Sequence, residues 1–295
     1  GWDGSNNEID LVTKTVEPRG DEKELAEITD LIGSYTTNFA SSSAGRAKNV
    51  ITGVSKVDGT ILYPGEEFDL AKTVSPFTQE NGYELAGAYQ NGTVVESFGG
   101  GICQVATTLY NAVIRAELEI TMRFNHSMLV HYVEPSMDAA IAGNYKDLKF
   151  KNNLDAPVYI EGYCSGGIIY FNVYGKETRP SNREISFESE TVSKTDPKVQ
   201  FTMDASLTAG SVSVTQSGQS GCIAQLWKIV KVDGKQQSRD LFNKSNYQAT
   251  PKLITIGTKD ATSETLSALK AAITIGDEAK VRSAAAGLKT NAQKK

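Results

Sequence analysis

An α+β domain, followed by a small all-β domain built as a thin sheet and then by a helical tail, is the fold class that this 295-residue sequence predicts. Three observations predict it. Ile102, Val105, Ala106, Leu109, Ala112, Val113 and Ala116 form an i, i+3, i+4, i+7 apolar stripe, and alternating strand-like runs follow it. Beyond Arg179-Pro180-Ser181-Asn182 the texture changes to alternating Thr, Ser, Val and Gln. From Thr262 the chain is rich in Ala and Lys. The expected units are an N-terminal extension with a short helix (1–45), a first domain (46–178), a β domain (184–258) and the tail (259–295), with the domain boundary at Arg179–Arg183.

Taken in order, residues 21–39 place Leu25, Ile28, Leu31 and Ile32 at helical spacing, with Gly33 as a stop. Arg46 to Val57 is again helical and ends at the Asp58-Gly59 turn, and TILYPGEEFDL reads as strand, Pro-Gly turn and strand. The helix opened by Cys103 comes next. MRFNHSMLVHYV (122–133), DLKFKN (147–152), APVYIEGYC (156–164) and GIIYFNVYG (167–175) read as strands, the last two joined at Ser165-Gly166. In the second domain, 184–203, 211–217, 223–233 and 252–256 read as strands. The tail reads as one helix with a frayed end.

Composition narrows the function. A hydrophobic share of 39% with 22% charged residues is that of a globular protein, and a net charge of -5 argues against nucleic acid as the partner. No run of 18 apolar residues is present, so nothing in the chain itself reads as a transmembrane helix. The first residue, Gly1, suggests a processed product, so a membrane anchor in the full-length protein is part of the expectation. Three cysteines without a CxxC spacing and only two histidines give no zinc pattern, and no metal or cofactor is expected.

Chemistry concentrates at SFGGGICQVATTLY (97–110), where three glycines run into a cysteine that opens a helix. A thiol there sits at the positive end of the helix dipole, which favours thiolate. Bare amides at Gly99, Gly100 and Gly101, and the side chain of Gln104, are candidate donors to a carbonyl oxygen turning anionic. A phosphate cradle is set aside, because no Lys-Ser/Thr follows the glycines. A thiol nucleophile needs a base, and strand alternation over 122–133 puts His126 and His131 on opposite faces, so only one of them reaches Cys103. Asp138 and Asn125 are the nearest groups able to orient a histidine. Cys164 and Cys222 have no such context and read as structural thiols.

The stretch RAKNV…GTILYPGEEFDL…NGYELAGAYQNGTVVESFGGGICQVATTLYNAVIRAELEI…RFNHSMLVHYVEPSMDAAI…DLKFKNN resembles the VanW family over about residues 46–175, with GGGICQ and NHS its most specific parts. The resemblance implies an exported protein of a Gram-positive bacterium, at the cell surface or wall. It also implies a distinct class of L,D-transpeptidase, with Cys103 as nucleophile, His126 as base and Asp138 kept. Gly99, Gly100, Gly101, Gln104, Asn125 and Ser127 would then line the substrate. The chain departs from the family at Pro135-Ser136-Met137, where a glycine and a basic residue are usual. The second domain resembles the five-glycine adhesive module through Gly210, Gly218, Gly221, Gly234 and Gly257. Peptidoglycan stem peptides and glycan are the implied partners. A non-catalytic wall-binding or antibiotic-resistance accessory protein, gripping a peptide carboxylate through backbone amides, is the rival reading.

Overall fold

The computed structural model describes residues 20–90, 93–143 and 145–290; residues 1–19 of the expected extension and 291–295 of the expected tail lie outside them. The first part of the chain runs α1 (Glu22–Leu25), β1 (Asp30–Asn38), α2 (Ala44–Val57), β2 (Thr60–Leu62), β3 (Glu67–Asp69), α3 (Leu70–Val74), β4 (Leu85–Gln90), β5 (Thr93–Phe98), α4 (Ile102–Arg115), β6 (Glu119–Met122), β7 (Lys149–Lys151), β8 (Val158–Ser165) and β9 (Ile168–Gly175). The second runs β10 (Arg183–Thr195), β11 (Val199–Thr208), β12 (Val212–Gln216), β13 (Gly221–Val232), β14 (Lys235–Tyr247), β15 (Lys252–Lys259), α5 (Ser263–Ile275) and α6 (Glu278–Ala286). The class is therefore mixed α and β, then all-β sheets, then helices.

Helix α4 is the axle of the first part. Every residue from Ile102 to Ile114 except Cys103 is buried, so the apolar stripe belongs to a helix covered on all sides. The antiparallel sheet β1-β9-β8-β2 covers it on one side, with Ile169, Phe171 and Val173 of β9 turned inward. Helix α2 approaches on another, and a Cβ at Gly53 would sit 2.6 Å from Ile102 Cδ1. The buried polar side chains of α4 are all bonded, as close packing in a low-dielectric core demands. Smaller pairings, β3-β7-β6 and β4-β5, complete this part.

In the second part, β10-β13-β14 form one antiparallel sheet, and β11-β15-β12 form another in which β11 and β15 are parallel. Helices α5 and α6 close the latter over Ile254, Ile256, Leu269 and Val281. Leu226 of β13 joins the core around α4, so the first of these sheets shares that core.

Five local expectations are corrected. The helix read over 21–39 is only the one turn of α1, with an Asp21 capping box, and the chain then becomes β1. Gly33 is not a stop signal: a Cβ there would meet the backbone of Ala112 and Ala116, so this glycine lets β1 lie directly on α4. The strand read over 122–133 ends at Met122, because its partner β7 is only three residues long. The hairpin β8–β9 turns on Gly166-Gly167, both at positive φ, one residue later than read. The tail is two helices, divided at Gly276 (φ 79) and restarted by Asp277, whose carboxylate accepts from Lys280 N at 2.9 Å. The polar strand β14 was not foreseen.

The segment between the two parts is pinned. Arg183 grips Glu117 with both terminal nitrogens, at 2.6 and 2.8 Å, and Lys228 of β13 reaches the same carboxylate. Burial alone would raise the pKa of Glu117, but these cations outweigh it and bring it down to about 2. A carboxylate whose folded pKa is depressed contributes stability above its unfolded pKa and loses it as pH falls toward the folded one. Glu117→Gln is therefore expected to cost about 2 kcal/mol at pH 7, with the gap to wild type closing between about pH 4.5 and 2. Urea titrations at the two pH extremes check this, and a pH-independent gap would mean that the cluster is held by shape rather than charge.

Candidate active site

One edge of α4 sets out the site. Cys103, Thr107 and Asn111, four residues apart, meet Ile141, Ala139 and Met137 of the loop that follows β6, two residues apart.

 Cys103 Sγ lies 3.3 Å from Ile141 O and 3.4 Å from Ile141 N. Thr107 Oγ1 donates to Ala139 O at 3.1 Å and accepts from Ala139 N at 3.0 Å, and Asn111 Nδ2 donates to Met137 O at 2.6 Å. Four helical residues rise about 6 Å and two extended residues about 6.6 Å, so the two spacings match. Alternation along the loop then turns Asp138 away from α4.

On that far side Asp138 meets the segment after β6. Its Oδ2 accepts from His126 N at 2.7 Å and lies 2.6 Å from His126 Nδ1. The other ring nitrogen is left for the Cys103 thiol, which is near enough for each group to shift the other's titration. Cys103, His126 and Asp138 are thus brought together, with His126 bonded to Asp138 and electrostatically linked to Cys103. It is not strand alternation that selects His126, since residues 123–133 form no strand. His126 is fixed by its own backbone N–H on Asp138, whereas His131 is exposed and packs edge-on against Tyr132.

Electrostatics follow from this arrangement. Burial disfavours the imidazolium of His126, but the hydrogen bonds to Asp138 and Cys103 and the attraction of both charges carry its pKa up to about 9. Burial also opposes ionisation of Cys103, yet His126 and the Ile141 amide hold the thiol below its ordinary value. Asp138 is likewise held low against burial, by His126 and then Arg123. Both shifts favour a thiolate–imidazolium pair over the neutral one, with the Asp138 carboxylate behind the imidazole.

The remaining expected residues lie around the start of α4 or in the loop after β6. Gly99 (φ 78) and Gly101 (φ 115) are at positive φ, and a Cβ on Gly100 would sit 2.8 Å from Ala86 O. The amides of Gly100, Ile102 and Gln104 close local turns onto Ser97, Gly99 and Gly101. Gln104 is buried, donates to Asn38 O and Thr37 Oγ1, and accepts from Arg46 Nη2 at 2.8 Å. Asn125 donates to the carbonyls of His126 and Asn246, and exposed Ser127 offers its own carbonyl to Gln248 N. Ser136, in the stretch that departs from the resembled family, holds φ 67.

Sequence reasoning missed Tyr132, Arg123 and Tyr247. Tyr132 has its ring edge-on to that of His126, with centroids 6.5 Å apart. Arg123 Nη2 donates to Asp138 Oδ1 at 3.0 Å, and Tyr247 Oη donates to the same oxygen at 2.5 Å. Alternation within a strand at 122–133 was a misleading signal for the first two, and Tyr247 lies more than a hundred residues from its partner.

The other two thiols are unlike Cys103. Burial pushes Cys164 up to about 11 and raises Cys222 as well. Iodoacetamide at pH 7 is expected to label Cys103 and spare both in the folded protein, as peptide mapping would show. Cys164→Ser and Cys222→Ser should each cost about 1 kcal/mol of stability and leave the Cys103 labelling rate unchanged.

Among the described residues no group of three or more His, Cys, Asp and Glu side chains is placed to hold a metal, and no helix is long and apolar enough to cross a membrane. Residues 45–174 match the VanW like protein family and residues 187–259 match the G5 domain, so the chain carries a VanW-like domain followed by a G5 domain. Together the two matches point to a cell-wall-associated protein. Among curated relatives, the chain is 34% identical over 172 residues to the uncharacterized protein YoaR of Bacillus subtilis, covering 58% of this chain and 57% of YoaR. It is 26% identical over 118 residues to the vancomycin B-type resistance protein VanW of Enterococcus faecalis, covering 38% of this chain and 42% of that protein. The chain thus spans about half the length of the curated relatives it matches. Solved structures similar to it include an IgA1 protease G5 domain (26% identity, 26% of this chain, 93% of that chain, TM-score 0.19) and HP0197-G5 (24%, 25%, 99%, 0.16).

Proposed function

We propose that the protein is an extracellular acyltransferase acting on peptidoglycan stem peptides, an L,D-transpeptidase with a cysteine nucleophile. The observation that carries this reading is the Cys103–His126–Asp138 chain, with the thiol at the second residue of α4 and the carboxylate on the distal ring nitrogen. Buried ion-paired groups of this kind are expensive to maintain and gather where chemistry needs them. The likeness to a vancomycin-resistance protein supports a cell-wall substrate.

In the first half-reaction, the Cys103 thiolate attacks the carbonyl carbon of the third stem residue, and the sulfur–carbon bond forms as the amide bond to D-alanine breaks. The His126 imidazolium gives its proton to the departing amine. In the second half, the side-chain amine of a diamino acid on a neighbouring stem attacks the thioester. The neutral imidazole takes a proton from that amine, and the thiolate leaves. Water in place of the amine gives a carboxypeptidase reaction with the same bookkeeping of protons. The Ile141 amide, which donates to the sulfur, steadies the thiolate before it attacks and again as it leaves the thioester.

Mass spectrometry of the purified protein incubated with disaccharide-tetrapeptide tests the proposal. Expected are free D-alanine, an acyl adduct on the peptide containing Cys103, and dimers joined between third residues. Muropeptides left unchanged while still bound would replace the enzyme by a wall-binding accessory protein, the rival that the same domain pairing suits.

A further inference from the structure

The side of Asp138 that faces away from His126 is built by the other domain. Tyr247 is the last residue of β14 and is buried. Its hydroxyl donates to Asp138 Oδ1 at 2.5 Å and accepts from Ser136 N at 2.7 Å. Two residues back on the same strand face, Ser245 Oγ accepts from Arg123 Nη1 at 3.0 Å, and Arg123 Nη2 reaches Asp138 Oδ1. Two further back, Asn243 Nδ2 donates to Tyr110 Oη at 2.7 Å and to Ser136 O at 3.2 Å. One face of β14, at residues 243, 245 and 247, is therefore polar and spent on the loop that carries the site.

An aspartate held by a histidine alone can turn about its last torsion, which is broad and roughly two-fold, and exchange its two oxygens. Fixing Oδ1 with two donors removes that freedom and leaves Oδ2 for His126. Short hydrogen bonds from O–H or guanidinium to carboxylate are the strong ones, and they gain further in a buried setting.

We propose that the G5 domain completes the acidic end of the site, with Tyr247 as a positioning residue that, together with Arg123, fixes Asp138 Oδ1 so that Oδ2 is aimed at His126. The inference rests on the acyltransferase reading above, and it makes the second domain part of the catalytic apparatus besides any hold it has on the wall. The titratable groups around Asp138 are Cys103 and Tyr110 from α4, Arg123, His126 and Tyr132 from the loop, and Tyr247 from β14. Of these, Tyr247 is the one supplied by the second domain.

The test uses the full chain with Tyr247→Phe, which removes one oxygen and keeps the ring. The rate of Cys103 alkylation by iodoacetamide is followed against pH, and D-alanine release gives kcat and KM. The wild-type midpoint is expected below that of an ordinary thiol, near pH 8.5. In the variant it should move up toward that value, with kcat down about tenfold, the lower end of what a second-layer partner typically supplies, and KM little changed. Ile254→Val, in the other sheet of the second domain, is a stability control that should leave the alkylation profile in place. If Tyr247→Phe does not fold, Ser245→Ala carries the test with a smaller shift in the same direction. A profile that stays put or moves down in the folded variant overturns the inference while the acyltransferase reading stands. A wild-type thiol that titrates ordinarily removes both.

Discussion

Cys103→Ala is expected to abolish thioester formation and cross-linking altogether, with no adduct on the peptide 97–110 region and no D-alanine released from disaccharide-tetrapeptide. The thiolate is the atom that forms the new bond, and neither of the other sulfurs can replace it. Cys164 lies in β8 and Cys222 at the start of β13, and both titrate high. The exchange should leave the fold in place, because Cys103 is half-buried while the other twelve of the first thirteen residues of α4 are buried. Thermal unfolding of the variant checks this. Retained D-alanine release from a folded Cys103→Ala protein would move the nucleophile elsewhere.

His126→Ala is expected to lower turnover by about 10²–10⁴-fold, the usual contribution of a general acid–base, while His131→Ala leaves it near wild type. Burial would then act on Cys103 without the opposing imidazolium, so the thiol midpoint should rise and labelling at pH 7 should slow. The pH profile of the wild type has a matching form. With its pKa raised to about 9, the imidazolium persists through neutrality and is lost as pH climbs past that value. Acylation needs its proton for the leaving amine, so kcat should fall on the alkaline side near pH 9. On the acid side it should fall as the thiolate is protonated, below the ordinary thiol range. Turnover that keeps rising through pH 10 would count against His126 as the proton donor.

The parts of this fold that the sequence discloses are those whose pattern is set by their own core. Helix α2, helix α4 and the β8–β9 hairpin show apolar periodicity because each buries a face against its neighbours. The same rule misled at β1, where Leu31 and Ile32 sit at helical spacing after Leu25 and Ile28. The tertiary contact of Gly33 with α4 decides the matter, and nothing local announces it. At β14 the pattern KQQSRDLFNKSNY is polar for a physical reason: Asn243, Ser245 and Tyr247 face a polar site instead of a core. The strand most closely joined to the candidate site was for that reason the hardest to read. Cys103 was legible from its glycines and helix start, and Asp138 from its closeness in sequence to the histidines. The route by which His126 reaches Cys103 was not, because it depends on a backbone amide and a carboxylate brought together by a loop.

The two-to-four correspondence between the 137–141 loop and the edge of α4 makes the site indexed, not merely located. Substitutions can weaken one rung of that ladder and grade its chemistry, as a rheostat does. A change in the length of the loop has no such middle setting: one residue more or fewer exchanges the face that meets Thr107 with the face that meets His126, and the carboxylate is then turned into the helix. Variation in this protein is thereby steered toward replacement of residues here and toward insertion elsewhere.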